Sequence, residues 1–289
     1  MSTTRFIALA VLVSAFTAAH AVPVVTSASG LNAASIQPAV DVFRTSLGAL
    51  NPNIAGSFSS GRREINWDGV PDSLSAFNNL PANFFNVNSP RGVVFSTPGT
   101  GFQVSATAVT GTPIEFGNIN PTYPLLFATF SPQRLFTAIG SNVMDVSFFV
   151  PGSTVAASVS GFGAVFTDVD LANISSLTFF DGSNALLGTF FVPAAAGSEG
   201  LSFLGVRFTD ERIGRVRITA GNQFLGGNES AVADAVVMDD FIYAEPVAVT
   251  VAIPEPATYA LMLVGLGAVV FATRRTRQKS GRYLRLAKF

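Results

Sequence analysis

Between Asn32 and Leu47 the apolar residues Ile36, Val40, Phe43 and Leu47 recur every three or four positions, and Gly48 follows them. That spacing places all four on one face of a short amphipathic helix, with the glycine as its stop. The stripe is expected to close one end of a core made of strands. Further along, the pattern shortens to runs of apolar and β-branched residues bounded by Gly, Pro, Asn or Asp, which read as strands. Nine such stretches occur: Gly92–Ser96, Phe102–Val109, Val143–Val150, Val155–Asp168, Ser176–Phe180, Leu186–Val192, Leu201–Phe208, Ile213–Thr219 and Ala235–Tyr243. In Ile213–Thr219, Val216 and Ile218 alternate with Arg215 and Arg217, the signature of a strand with one buried and one wet face. Asp181-Gly182-Ser183-Asn184 lies between two apolar runs and marks a hairpin. Phe-Phe pairs recur at 84–85, 148–149, 179–180 and 190–191, but their irregular spacing describes core strands rather than a repeat array.

These elements predict an all-β fold, an antiparallel β-sandwich of jelly-roll-like type with a short N-terminal helix and a C-terminal transmembrane helix. Residues 1–21 read as a signal peptide: Arg5, an apolar run from Phe6 to Phe16, then Ala19-His20-Ala21 as a small-residue cleavage site. Residues 22–50 form the segment with the helix, 51–246 the β-sandwich domain, and 247–289 a linker with a terminal address. In that address Pro254-Glu255-Pro256 precedes seventeen uncharged residues, 257–273, and a basic tail, 274–289, that opens with Arg274, Arg275 and Arg277. Seventeen residues reach the short end of a bilayer span, and the arginines place the tail in the cytoplasm and the body outside.

Composition supports strands over long helices: 27 Phe stand beside one Trp and four Tyr, punctuated by 26 Gly and 16 Pro. The net charge of -1 conceals a division. Residues 22–256 hold nine Arg, no Lys and 18 acidic residues, a net of −9, whereas 257–289 hold seven basic residues and no acid. A body without a basic face does not neutralise phosphates, so nucleic acid is not an expected partner. Cys is absent and the one His, His20, falls in the signal peptide. The mature chain therefore lacks the residues of Cys/His zinc sites, of Ser-His-Asp and Cys-His triads, and of internal disulfides.

Acid–base chemistry would fall to carboxylates, and the candidate pairs are Glu64 with Asp68, Asp168 with Asp170, Asp210 with Glu211, and Asp239 with Asp240. Asp168 and Asp170 share a face of an extended segment, but nothing in the spacing builds the cleft that paired carboxyls need. Asp239 and Asp240, being adjacent, are expected on opposite faces of their strand. The chain is accordingly expected not to be an enzyme. In the turn-rich stretch 51–88, Glu64, Asn66 and Asp68 alternate opposite Ile65 and Trp67. Their oxygens suit part of a calcium site. The same residues also suit a solvated face, with Glu64 paired to Arg62 or Arg63 and Asp68-Gly69 in a turn. Trp67 and Tyr123 are the aromatic candidates for stacking on a sugar ring.

The segment from Val251 to Arg275, with its Pro-Glu-Pro triplet, span and Arg cluster, resembles the PEP-CTERM sorting signal of exported proteins in Gram-negative bacteria. That resemblance implies recognition by an exosortase at the inner membrane, a transient membrane anchor, and delivery to the cell surface or an extracellular matrix, with a structural or adhesive role in exopolysaccharide or biofilm. The tail from Gln278 to Phe289 runs past the usual end of such signals. The phrases Gly61–Ser73 and Val236–Pro246 are similar to β-rich domains that precede this signal. Val236–Phe241 also looks like the last strand of calcium-stabilised, carbohydrate-binding jelly rolls. That second likeness implies Asp240, Glu64 and Asp68 as calcium ligands, and polysaccharide as the alternative partner.

Overall fold

The computed structural model describes residues 22–195, 197–209, 213–249 and 263–271. The expected signal peptide, Pro254, Glu255, Pro256, Arg274, Arg275, Arg277 and the pair Asp210 and Glu211 lie outside the described residues. Two compact units are present, Met1–Val249 and Thr250–Phe289. In the second, residues 263–271 are helical and exposed, and among the described residues no helix is long and apolar enough to cross a membrane.

The first unit is built from fourteen strands and two short α-helices among its described residues: β1 Val24–Gly30, α1 Ala33–Leu47, β2 Arg62–Ile65, α2 Phe84–Val87, β3 Val93–Ser96, β4 Gly101–Val104, β5 Phe136–Ile139, β6 Val143–Phe148, β7 Ala157–Ser158, β8 Gly161–Thr167, β9 Ser176–Asp181, β10 Leu186–Phe191, β11 Leu201–Arg207, β12 Ile213–Thr219, β13 Val237–Ala244 and β14 Val247–Ala248. One sheet runs β1-β11-β8-β13-β5-β4, with β2 also paired to β13; the second runs β10-β9-β12-β6-β3. The expected all-β, antiparallel class holds. The expected strand Val155–Asp168 is in fact two strands, since β7 leaves to pair with β14 while β8 enters the first sheet. Within residues 22–50, β1 pairs with β11 along seven residues.

Helix α1 forms where the stripe places it. Asn32 caps its start, accepting from the Ser35 backbone N–H at 3.1 Å, and Gly48 ends it at φ 99°, which a side-chain-free residue reaches without strain. Ile36, Val40, Phe43 and Leu47 are the buried positions, each contributing about 1.5–3 kcal/mol by leaving water. Phe43 needs a flat seat. It finds one over the facing pair Gly163 and Gly205, where a Cβ on Gly205 would meet the ring at 2.7 Å. With α1 on one face and the second sheet on the other, β8 is buried at all seven positions. Its pattern therefore reads as a continuous apolar run, not an alternation.

Between the sheets lies an aromatic core. Phe95 of the second sheet tilts against Phe136 of the first at 5.0 Å, and Phe148 meets Phe162 at 6.2 Å. At the far edge Asp181 organises the β9–β10 hairpin, accepting from the backbone N–H groups of Ser183 and Ala185, each at 2.8 Å. The Ser183 hydroxyl, which also donates to it, and then those backbone bonds hold its carboxyl below the usual carboxylate range.

Candidate functional site

Strand β2 lies antiparallel to β13, with Glu64 opposite Ile242 and Arg63 opposite Tyr243. The two polar phrases that stand out in the sequence, 61–73 and 236–246, thus meet along one seam. Across β13, Met238 faces Phe166 while Phe241 faces Ala164, so Asp239 and Asp240 together oppose one residue of β8. This is a β-bulge, and it re-aims a side chain. The expectation that the two aspartates point to opposite faces fails for that reason. Both are buried and both turn to Ser131, whose hydroxyl donates to Asp240 Oδ1 at 2.6 Å and lies 3.2 Å from Asp239 Oδ1.

Asp239 accepts the backbone N–H of Phe130 at 2.6 Å and of Ser131 at 3.2 Å, tying the 128–134 loop to the bulge. Burial, then the charge of Asp240, pushes its carboxyl well above the ordinary range, and a hydrogen bond joins the two carboxyls. Asp240 is raised less, because Ser131, Asp239 and Arg44 favour its ionised form against burial. Arg44, from α1, reaches Asp240 Oδ2 at 3.1 Å and grips Glu64 with Nε at 3.1 Å and Nη2 at 2.9 Å. Arg62 adds a bond to Glu64 at 2.6 Å. The seam opens on a polar cleft of about 300 Å³ lined in part by Arg44, Asn51, Glu64, Asn66, Ser131 and Asp240.

The calcium trio is therefore divided. Glu64 and Asp240 do converge, but on a guanidinium that stands between them where the sequence reading put a cation. Asp68 is elsewhere: its Oδ1 accepts the backbone N–H of Gln133 at 2.6 Å and of Arg134 at 3.2 Å. Neither aromatic candidate has a face to offer a sugar. Trp67 is 1% and Tyr123 0% exposed. Tyr123 closes a local knot, donating to the Gly227 carbonyl at 3.0 Å and accepting the Gly226 N–H at 2.8 Å.

Asp168 and Asp170 are drawn together with Glu229, one oxygen of each within 4.8 Å of the others. Sequence reasoning missed Arg44, Ser131, Glu229 and Asp234, none of which sits in a recognisable motif. Only the polar Arg44 beside the α1 stripe hinted at a partner.

Chemically, the Asp239–Asp240 pair sits in a closed network whose members bond each other or the backbone, an arrangement that fastens a loop. The pH dependence follows. A carboxyl whose folded pKa is raised contributes stability that is complete below its unfolded pKa, near 4, and is lost as pH climbs toward the folded value. Asp239→Asn supplies an amide donor in place of the acid proton and removes that loss. In chemical unfolding, the stability of the variant relative to wild type should rise from pH 4.5 to pH 8; a variant less stable than wild type at pH 8 would show that Asp239 is ionised in the fold.

Set beside known proteins, the chain carries the PEP-CTERM protein-sorting motif over residues 252–278. No curated protein and no solved structure matches it.

Proposed function

We propose that this chain, which carries a PEP-CTERM motif, is exported, handled by an exosortase and held briefly in the inner membrane before it reaches the cell surface or extracellular matrix, where its body serves as a structural or adhesive unit. The body is read as a jelly-roll-like β-sandwich without catalytic function. The observation that carries the proposal is the motif at 252–278, placed after an acidic, strand-rich body. Support for a scaffold comes from the seam itself: its carboxyls are consumed in bonds to Arg44, Arg62, Ser131 and backbone N–H groups. Burial of Trp67 and Tyr123 counts against the sugar-binding alternative.

The test is sorting. In a host with an exosortase, wild-type chain should leave the inner-membrane fraction and gain mobility as its tail is removed. Replacing Pro254, Glu255 and Pro256 by Ala should leave the full-length chain in the membrane. Equal release of both proteins would overturn the reading.

A further inference from the structure

At the end of β8 the chain turns sharply at Asp168, whose φ is 65° and whose backbone N–H bonds the Gly200 carbonyl at 2.8 Å. Its carboxylate points inward. The residue is 1% exposed, and no backbone, hydroxyl or arginine donor reaches either carboxylate oxygen; the side chain they meet is the Glu229 carboxyl. Two buried oxygens of one carboxylate without a donor are a costly arrangement, because burial strips their water and nothing replaces it. What faces them is more acid. Asp170, two residues on, and Glu229, from the loop between β12 and β13, each bring an oxygen within 4.8 Å of the Asp168 carboxylate and of each other.

Asp234 adds a fourth carboxyl to this neighbourhood. One of its oxygens accepts the Leu171 N–H at 3.1 Å, while the other is buried without a partner. Glu229 accepts the Ala235 N–H at 2.7 Å with Oε1. None of the four has an arginine within ion-pair distance among the described residues. This separates the cluster from the seam, where Arg44 neutralises the acids.

We propose that Asp168, Asp170 and Glu229, with Asp234 beside them, form a binding site for Ca²⁺. An all-oxygen donor set is that of a hard cation, and Ca²⁺ accepts mono- or bidentate carboxylates in irregular geometry. Ligands on opposite sides of Ca²⁺ stand about 4.6–5.2 Å apart, twice a bond of roughly 2.3–2.6 Å, which suits this spacing; Mg²⁺ demands shorter bonds and a stricter octahedron. Asp170 is exposed and gives the ion a way in from solvent. Bound Ca²⁺ would fasten the turn after β8 to the 221–235 loop, two segments otherwise joined by single bonds such as Leu171 to Asp234. It replaces, on different residues, the calcium role first read onto Glu64, Asp68 and Asp240.

The experiment is calorimetric titration of CaCl₂ into EDTA-stripped, detergent-purified full-length chain at pH 7.5, alongside thermal melts. Wild type should bind one Ca²⁺ and melt at higher temperature as CaCl₂ rises, with at least tenfold weaker response to MgCl₂. Asp168→Asn should lose Ca²⁺ affinity at least tenfold while melting no lower than metal-free wild type, since it removes a buried charge. Asp170→Asn, at an exposed position, should weaken Ca²⁺ without changing the metal-free melt. Wild type that gives no heat and no shift, or variants that bind as wild type does, would overturn the site.

Discussion

Glu245→Ala should lower the unfolding free energy by about 3–5 kcal/mol, the range for removing one partner of a buried ion pair. Arg63 and Glu245 are 0% and 1% exposed at their side chains and meet in a two-pronged contact, with both N–O distances 2.8 Å. The remaining guanidinium donors go to the carbonyls of Ile54, Gly56 and Pro90. All five N–H groups of Arg63 are therefore used. Glu245 also accepts Asn51 Nδ2 at 2.8 Å and the Phe58 N–H at 3.2 Å. Removing the carboxylate leaves a charge stranded in the core and releases the 51–58 loop. Urea unfolding measures the loss. Replacing both partners by apolar residues, Arg63→Met with Glu245→Leu, should recover much of it, because the penalty comes from the uncompensated charge. A Glu245→Ala variant within 1 kcal/mol of wild type would show that water reaches Arg63.

Trp67→Ala should cost about 3–5 kcal/mol as a large core truncation. The indole stacks on Phe136 at 3.9 Å with the planes 7° apart, and meets Phe241 at 5.1 Å and Phe85 at 5.4 Å edge-on. Its Nε1–H donates to the Asp239 carbonyl at 2.7 Å, at the β-bulge. Trp67→Phe keeps most of the packing and leaves that carbonyl without its donor, so its cost should be smaller, about 1–3 kcal/mol. Because Trp67 is the single tryptophan of the chain, its emission reports this core directly. It should be blue-shifted in the folded protein and move to the red in one step with urea. Red emission before unfolding would mean that the indole is wet, and would restore a sugar-stacking role.

Helix α1 could be read from its residues because a helix is a local object. Its stripe, its Asn32 cap and its Gly48 stop all act within one or two turns. Most strands were likewise visible where burial made them apolar. Four strands escaped, Val24–Gly30, Arg62–Ile65, Phe136–Ile139 and Val247–Ala248, and the first two show why. Val24–Gly30 is an edge strand of small and polar residues, with a burial pattern too weak to stand out. Arg62–Ile65 places Arg63 inward, against every rule of patterning, because the compensating Glu245 lies 182 residues away. The bulge at Asp239 and Asp240 was hidden because a strand's alternation is assumed until its partner's register is known.

By itself, the sequence determined the class of fold, the helix, the absence of cysteine throughout and of histidine after residue 20, and the sorting motif. These are matters of local period, residue inventory or a contiguous recognition segment. Only the tertiary structure decided which charges meet. It put Arg44 between Glu64 and Asp240, sealed Arg63 against Glu245, and gathered Asp168, Asp170 and Glu229 with no arginine of the described residues at ion-pair distance. The reason is physical: a buried charge is settled by whatever group the fold carries to it, and that group's distance along the chain leaves no mark in the local pattern.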